Sequence, residues 1–224
     1  MDIAAYIVGG LVGLTVLAGL IWRLFLPGRP CQVWLSWLVE RDNPLAKANR
    51  AAVIIDRLNV QPGMAVLDVG CGPGRLTIPL ADRVGEQGTV VALDMQAGML
   101  ARAADKARAA KLANIRLVHA RAGEGKLERN RFDRALLVTV LGEITNRDAA
   151  LKEIFESLKP GGILSVTETI FDPHCQTYRS VRQRAEAVGF REIARYGNWL
   201  GFTLNLQRPA TAQTSFPQVA AVLK

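Results

Sequence analysis

Hydrophobic and polar positions along this chain follow three regimes. From Ile3 to Trp22 there is no charged residue, and apolar side chains occupy every face of a notional helix, as in YIVGGLVGLTVLAGLIW. A surface helix shows one apolar stripe, whereas an all-round pattern belongs to a buried or spanning one. At 1.5 Å per residue the segment would run about 30 Å, the hydrocarbon thickness of a bilayer, which predicts one transmembrane helix. From Ala46 the pattern changes to short β-rich apolar runs alternating with helical periods. From Pro209 onward, PATAQTSFPQVAAVLK has no clear period and reads as a loose tail.

In the second regime Ala48, Ala51, Ala52, Ile55 and Leu58 recur every three or four positions, predicting an amphipathic helix over 46–58 that Pro62-Gly63 separates from the first strand. Strand 65–69, helix 75–84, strand 90–94, helix 97–111 and strand 115–119 come next. Strand 134–138, helix 147–158 and strand 163–167 continue the alternation, with Lys159-Pro160-Gly161-Gly162 stopping the helix. A helix over 177–188 ends at Gly189, and strands 190–196 and 200–206 flank Gly197-Asn198 as a closing hairpin. The expected fold is α/β, a Rossmann-like, doubly wound and mostly parallel sheet with a C-terminal antiparallel hairpin, preceded by one transmembrane helix. The implied division is an anchor over 1–26, a juxtamembrane segment over 27–45, one α/β domain over 46–208 and a tail over 209–224.

A cleaved signal peptide and a buried soluble helix are the alternatives for the first segment. Against cleavage, Asp2 stands where a basic start belongs, and no small-residue cleavage site follows. Arg23, Arg29 and Arg41 follow the apolar run, so the positive-inside rule places the α/β domain in the cytoplasm. In CQVWLSWLVER, Trp34, Trp37, Leu38 and Arg41 share helical spacing, fit either for the headgroup level or for packing on the domain. Gly9, Gly10 and Gly13 do not define an oligomer, because glycine is common in membrane helices.

The formal charge of +8 and pI near 9.9 are spread along the chain without a basic block, which suits anionic headgroups better than nucleic acid. Cys31, Cys71 and Cys175 are too few and scattered for a disulfide framework or a metal cluster, so no metal is expected.

The most informative stretch is VLDVGCGPGRLT, a hydrophobic strand running into a glycine turn that opens a helix. Gly70, Gly72 and Gly74 permit backbone angles and close approach that a Cβ forbids, and Asp68 offers a carboxylate to a cationic group such as a sulfonium amino acid. The G-x-G-x-G spacing differs from the G-x-G-x-x-G preferred by pyrophosphate-binding turns, which argues against a nicotinamide or flavin cofactor.

VLDVGCGPG, ALDMQAGML, RFDRALLVTVL and LKPGGILSVTE, in that order, resemble the class I S-adenosylmethionine-dependent methyltransferases over nearly all of 46–208, with the texture of small-molecule, quinone or lipid methyltransferases. The resemblance implies S-adenosyl-L-methionine as cofactor. It implies that Gly70 and Gly72, with Cys71 and Gly74 in the same turn, cradle the methionine portion, with Asp68 near its ammonium group. Asp94 is implied to bond both ribose hydroxyls, with helix capping as its alternative or additional role, and Met95 to lie against adenine. Where many relatives carry an Asp-Ala pair, this chain has Arg121-Ala122. Either Glu124 or backbone groups of Ala122 and Gly123 would then meet the adenine.

Methyl transfer from a sulfonium depends mainly on positioning and desolvation, so no obligatory catalytic residue is expected. Glu143 and His174 follow the fourth and fifth predicted strands and are the catalytic candidates, since loops at strand carboxyl ends line the ligand crevice. Each has a bland alternative, a surface or capping role for Glu143 and a hydrogen-bonded loop for His174. His119 reads as structural, and Tyr178 as a pocket wall or a buried helix start. Arg179, Arg182 and Arg184 read as a solvated face or an anionic-surface contact. The anchor favours a lipid-phase acceptor, such as a lipid headgroup or quinone, because tethering raises local concentration. An inactive binding or scaffold protein is the competing class, but the glycine turn and Asp94 are intact. A nucleic-acid methyltransferase lacks its basic block and flipped-base signature here.

Overall fold

The computed structural model describes residues 50–170 and 172–210. The predicted span at 3–22, the CQVWLSWLVER segment and the tail from 211 lie outside the described residues. Among those described, no helix is long and apolar enough to cross a membrane.

Seven strands form one sheet in the order β3-β2-β1-β4-β5-β7-β6. The elements are α1 (Ala51–Arg57), β1 (Ala65–Val69), α2 (Thr77–Val84), β2 (Thr89–Asp94), α3 (Ala97–Ala109), β3 (Ile115–His119), β4 (Phe132–Val138), α4 (Arg147–Ser157), β5 (Leu158–Thr169), α5 (Tyr178–Val188), β6 (Arg191–Asn198) and β7 (Gly201–Gln207). β1 to β5 pair in parallel, and β7 lies antiparallel between β5 and β6. The expected doubly wound, mostly parallel sheet with a closing antiparallel hairpin is therefore present.

Alternation along the strands sends side chains to two cores. Leu67, Val69, Leu137, Leu164 and Val166 pack with Leu151 and Ile154 of α4 and Val181 and Ala185 of α5. Val66, Val90, Leu136 and Val138 face Ile54 and Ile55 of α1 and Leu80, Ala81 and Val84 of α2. Both faces are covered, so the central strands read as nearly continuous apolar runs, as parallel sheets require. Strand order reverses between β1 and β4, and loops leaving their carboxyl ends diverge there, opening the crevice in which α/β sheets bind ligands.

Three local expectations need correcting. First, α2 starts at Thr77, because the glycine turn continues through Arg75-Leu76. Second, the Lys159-Pro160-Gly161-Gly162 stretch is extended: β5 begins at Leu158 directly after α4, with Leu158 paired to Phe132. Gly161 takes φ +84°, and its N–H donates to the Arg208 carbonyl, so Gly161 is held by β7's end where a turn was expected. Third, Asn198 pairs with Gly201, so the hairpin turn is Trp199-Leu200, and Gly197 lies within β6. Turn chemistry favours glycine and asparagine, which is why Gly197-Asn198 was the expected site.

Because α4 runs into β5 without a cap, its last carbonyls need another donor. Arg208 Nη1 supplies it, lying 3.0 and 3.1 Å from the carbonyl oxygens of Phe155 and Glu156 and also meeting Leu158, with its guanidinium 5.0 Å from the Phe155 ring centroid. Arg208→Met, which keeps the apolar stem and removes the donors, is expected to cost roughly 1–3 kcal/mol. Urea unfolding would show it as a lowered midpoint, with cofactor affinity retained.

Candidate active site

The carboxyl ends of β1, β2 and β4 meet at the point of strand reversal. There the glycine turn is built from three left-handed residues, Gly70, Gly72 and Gly74, at φ +69°, +53° and +85°. A Cβ added to Gly70 would lie 2.6 Å from the Val140 methyls, so this glycine lets the β1 turn touch the loop leaving β4. A Cβ on Gly74 would come within 3.2 Å of Ala103 in α3. Gly72 differs: nothing lies within 4 Å of its Cβ position, so that flank of the turn is open space. Its N–H donates to Asp94 Oδ2 at 2.9 Å, and Gly70 N–H and Cys71 N–H both donate to the Leu93 carbonyl. The turn is thereby strapped to the end of β2.

Asp94 is nearly buried, and its Oδ1 accepts the Gln96 N–H at 2.8 Å. Burial raises its carboxyl above the ordinary range, opposed by the Gln96 and Gly72 amides. The side chain is fixed beside the open flank of Gly72, and the helix N-cap position falls to Gln96. The sequence-predicted Met95 follows, its carbonyl oxygen 3.0 Å from His119 Nε2, so His119 braces this loop.

Asp68 and Cys71 are both buried. Thr77 Oγ1 donates to Asp68 Oδ2 at 2.7 Å, joining β1 to the first turn of α2. Burial pushes the Asp68 carboxyl up to about 6 against that hydrogen bond and the charge of Arg75. Burial also drives the Cys71 thiol upward, with the Asp68 and Asp94 charges adding to the effect, so it sits in the turn as a small apolar filler.

After β3, Gly123 takes φ +97° where a Cβ would press on the backbone of Ala149 and Ala150. Its N–H donates to Glu153 Oε2, and Glu153 Oε1 accepts the Leu127 N–H. Glu124 turns back to accept the Arg121 N–H at 3.2 Å. Of the groups expected to meet an adenine, the Gly123 amide is thus committed to α4 and the Glu124 carboxylate to its own turn. Ala122 packs against the core beneath.

On the far side of the reversal, the loops after β4 and β5 press together. A Cβ on Gly142 would fall 1.8 Å from the His174 carbonyl oxygen, which brings the segments carrying Glu143 and His174 side by side. Arg147 donates to the carbonyls of Leu141 and Gly142, fixing the β4 loop, and Asp172 Oδ1 accepts the His174 N–H at 2.7 Å. Tyr178 is the first residue of α5 and packs among α5, β6 and β7, with its hydroxyl donating to Glu192 and its ring edge-on to Phe202. Arg182 pairs with Glu186 and Glu192, and Arg184 with Asp148, as a solvated face would.

One residue here escaped the sequence reading. Glu168, near the end of β5, is only 2% exposed; its Oε2 accepts the Gln176 N–H at 3.1 Å, and its Oε1 is buried without a hydrogen-bond partner. Burial pushes its carboxyl up to about 8, with Asp172 and Glu143 adding to the rise and the Gln176 amide and Arg147 opposing it. The signal was present: Leu164, Val166 and Glu168 share one strand face, and a carboxylate that ends an apolar run at a ligand-bearing edge is a functional candidate.

Comparisons agree with this geometry. The family profile described as a methyltransferase domain matches residues 60–194. The chain is 39% identical over 113 residues to a demethylmenaquinone methyltransferase of Shouchella clausii, covering 50% of this chain and 48% of that protein. It is 36% identical over 128 residues to a ubiquinone/menaquinone biosynthesis C-methyltransferase of Vibrio vulnificus, covering 55% and 49%. The chain thus spans about half the length of the curated relatives it matches. Among solved structures, a SAM-dependent methyltransferase from Aquifex aeolicus shares the fold with TM-score 0.71 and 21% identity, over 80% of this chain and 99% of that one. A Haemonchus contortus phosphoethanolamine N-methyltransferase in complex with S-adenosylhomocysteine shares it with TM-score 0.62 and 21% identity, over 73% and 42%.

The glycines separate two kinds of damage. Gly70→Ala is expected to cost roughly 2–5 kcal/mol, because left-handed strain adds to the clash with Val140. Gly72→Ala should cost only about 1–2 kcal/mol yet weaken ligand binding more than it weakens folding, since its Cβ points into the open flank. Urea titration and calorimetry with S-adenosylmethionine on the same preparations would check the contrast.

Asp68 and Glu168 also predict how stability follows pH. A carboxyl whose folded pKa lies above its unfolded value contributes fully below the unfolded value, and that contribution is lost as pH rises through the folded one. Stability should therefore fall from about pH 4 upward, with the Asp68 part complete just above 6 and the Glu168 part just above 8. The Glu168→Gln variant should remove the upper part of the slope, worth on the order of 5 kcal/mol at most, in urea midpoints measured across that range.

Proposed function

This chain belongs to the class I S-adenosylmethionine-dependent methyltransferases, and on that premise we propose that it methylates a lipid-phase, quinone-type acceptor at a membrane. In this reading the apolar segment at 3–22 anchors the protein, and the α/β domain faces the cytoplasm. The observation that carries the reading is the open flank of Gly72 bounded by the fixed carboxylate of Asp94, at the strand reversal of a fold shared with methyltransferases.

The residues present fit the cofactor. A Cβ-free wall at Gly72 admits the methionine portion, and Asp94, a carboxylate held by two amides, can still accept from ribose hydroxyls, because each carboxylate oxygen takes more than one donor. When bound, S-adenosylmethionine supplies an electrophilic methyl group on a sulfonium. The protein's own work is then to orient the acceptor, exclude water and receive one proton, since replacing an aromatic C–H or an O–H by a methyl releases H⁺.

Glu143 and His174, on loops pressed together at Gly142, stand on the acceptor side of the strand reversal and are the groups assigned to that proton. Glu168, buried near the end of β5, holds the loop that carries His174 through the Gln176 amide and acts as a positioning residue. The relatives named for menaquinone and ubiquinone methylation support a quinone ring as the acceptor.

The test uses detergent-solubilised full-length protein, first for S-adenosylmethionine binding and then for transfer of labelled methyl to reduced quinones that lack a ring methyl and to phospholipid extracts. Wild type should bind, Asp94→Ala should lose at least about two orders of magnitude in affinity, and label should enter the quinone fraction. Glu143→Gln or His174→Asn should lower kcat by about 10²-fold with cofactor affinity unchanged. A folded wild type that binds no S-adenosylmethionine would sink the methyltransferase reading. Binding with label confined to water-soluble acceptors would sink the lipid-phase one.

A further inference from the structure

The exposed large hydrophobic side chains of the described residues are Ile170, Ile193, Tyr196, Trp199 and Leu200. Four belong to the β6–β7 hairpin. The fifth, Ile170, follows β5 directly and donates its N–H to the Leu200 carbonyl at 3.1 Å. Ile193 lies on the outer edge strand, while Ile170, Tyr196, Trp199 and Leu200 gather at the hairpin tip. Trp199 is 78% exposed and Leu200 40%, and both sit in the turn itself.

That choice of residues is not explained by the turn. Neither Trp199 nor Leu200 takes a positive φ, and the Asn198 side chain accepts the Leu200 N–H at 2.9 Å, so the turn admits ordinary residues at both places but nothing in it calls for an indole and an isobutyl group presented to water. Single exposed apolar residues need no explanation, but a contiguous group of them marks a contact surface.

Three features identify the contact. Trp and Tyr are the side chains that settle at the headgroup level of a bilayer, with an apolar body and a polar tip. Two arginines belong to this region: the Arg57 guanidinium lies 5.0 Å from the Tyr196 ring centroid, and that of Arg195, on the same strand as Tyr196, 4.1 Å from the Tyr178 ring centroid. The adjoining carboxylate Glu192 is engaged by the Tyr178 hydroxyl and Arg182, Glu168 is buried, and Arg195 is exposed, which puts a cation beside the tip for an anionic lipid surface to meet. The position is the third feature. β5 is parallel to the site-bearing strands and Ile170 is its continuation, so the tip stands at the same sheet edge as Gly72, Asp94, Glu143 and His174.

We propose that the Trp199-Leu200 hairpin tip, with Ile170 and Tyr196, inserts into the headgroup region of an anionic bilayer and turns the mouth of the active site toward the membrane. The partner is the lipid surface itself. The consequence is that an amphiphilic acceptor reaches the crevice by leaving the bilayer laterally, without crossing water. The inference rests on the membrane location proposed above and adds a second contact that fixes the domain's orientation.

Full-length protein reconstituted into phosphatidylcholine–phosphatidylglycerol vesicles tests it, with the emission of wild type minus that of Trp199→Phe isolating this indole from Trp22, Trp34 and Trp37. The expected result is a Trp199 signal quenched by lipids brominated near the headgroup and protected from aqueous iodide. Arg195→Glu should reduce that protection at least severalfold in the same vesicles. If the protein sediments with vesicles while Trp199 stays open to iodide, the hairpin proposal fails and the membrane location stands. If it does not sediment with vesicles, both fail. A Trp199 shielded from both quenchers is covered by this chain or by a second copy, which also overturns the proposal.

Discussion

The hydrogen bond from Gly72 N–H to Asp94 Oδ2 joins residues 22 apart in sequence and fixes the relation between the ends of β1 and β2. Everything at the candidate cofactor site is measured from it. Were the turn free, its three left-handed glycines would allow many shapes, because glycine carries no Cβ to restrict them. Tied to Asp94 and to the Leu93 carbonyl, the turn has one shape, and its open flank faces a carboxylate already desolvated and oriented. The cost is visible in the same group: burial raises the Asp94 carboxyl, and two backbone amides oppose that rise. A ligand offering two hydroxyl donors would add to those amides, so binding and the ionised form of Asp94 reinforce one another.

The second constraint is strand reversal. β2 lies on one side of β1 and β4 on the other, so the loops after β1 and β4 would separate if nothing drew them together. Gly70 lets Val140 approach the turn, and the Glu143 N–H donates to the Val140 carbonyl in the same loop. From there Gly142 meets the His174 carbonyl, and the β5 loop returns through Gln176 to Glu168. A continuous path of close backbone contacts thus joins the glycine turn to the loops that carry Glu143 and His174. It uses glycine at two crossings, where any side chain would collide with the neighbouring loop.

Much of this was legible in the sequence, for physical reasons that differ by element. β1, β3 and α5 were placed within a residue: β1 is a buried, nearly continuous apolar run, β3 is an edge strand whose Ile115, Leu117 and Val118 are β-formers between turn residues, and α5 is framed by a Thr177 cap and a left-handed Gly189. Asp94 and the glycine turn were legible because local backbone demands select those residue types. What was hidden depended on tertiary partners. The start of β5 relies on Phe132 and on the Gly161–Arg208 pairing, and neither is local. Gly123, expected beside an adenine, is also required by the approach of α4, which no local pattern announces. The hairpin turn fell just after Gly197-Asn198 because Asn198 supports it from the preceding position, accepting the Leu200 N–H, while Trp199 and Leu200 take ordinary backbone angles. The anchor at 3–22, readable only from its apolar pattern, lies outside the described residues.

The two faces of the sheet are not equally committed to stability. The face under α4 and α5 is a continuous apolar core. On the other face, where β5 meets β7, a polar seam is buried: Thr167 and Thr203 hydroxyls lie 3.1 Å apart, Arg57 donates to Thr203, and Asn205 donates to the Arg57 carbonyl. Ser165 Oγ and Asn205 Oδ1 in that seam have no hydrogen-bond partner, and an unsatisfied buried polar atom costs about 1–3 kcal/mol. That seam fastens the end of α1 to the hairpin, and Arg57 also lies over Tyr196 near the hairpin tip. β7 also contributes Phe202, Leu204 and Leu206 to the apolar core, so the hairpin is held from both faces of the sheet, by the polar seam on one and by the core that anchors α4 and α5 on the other.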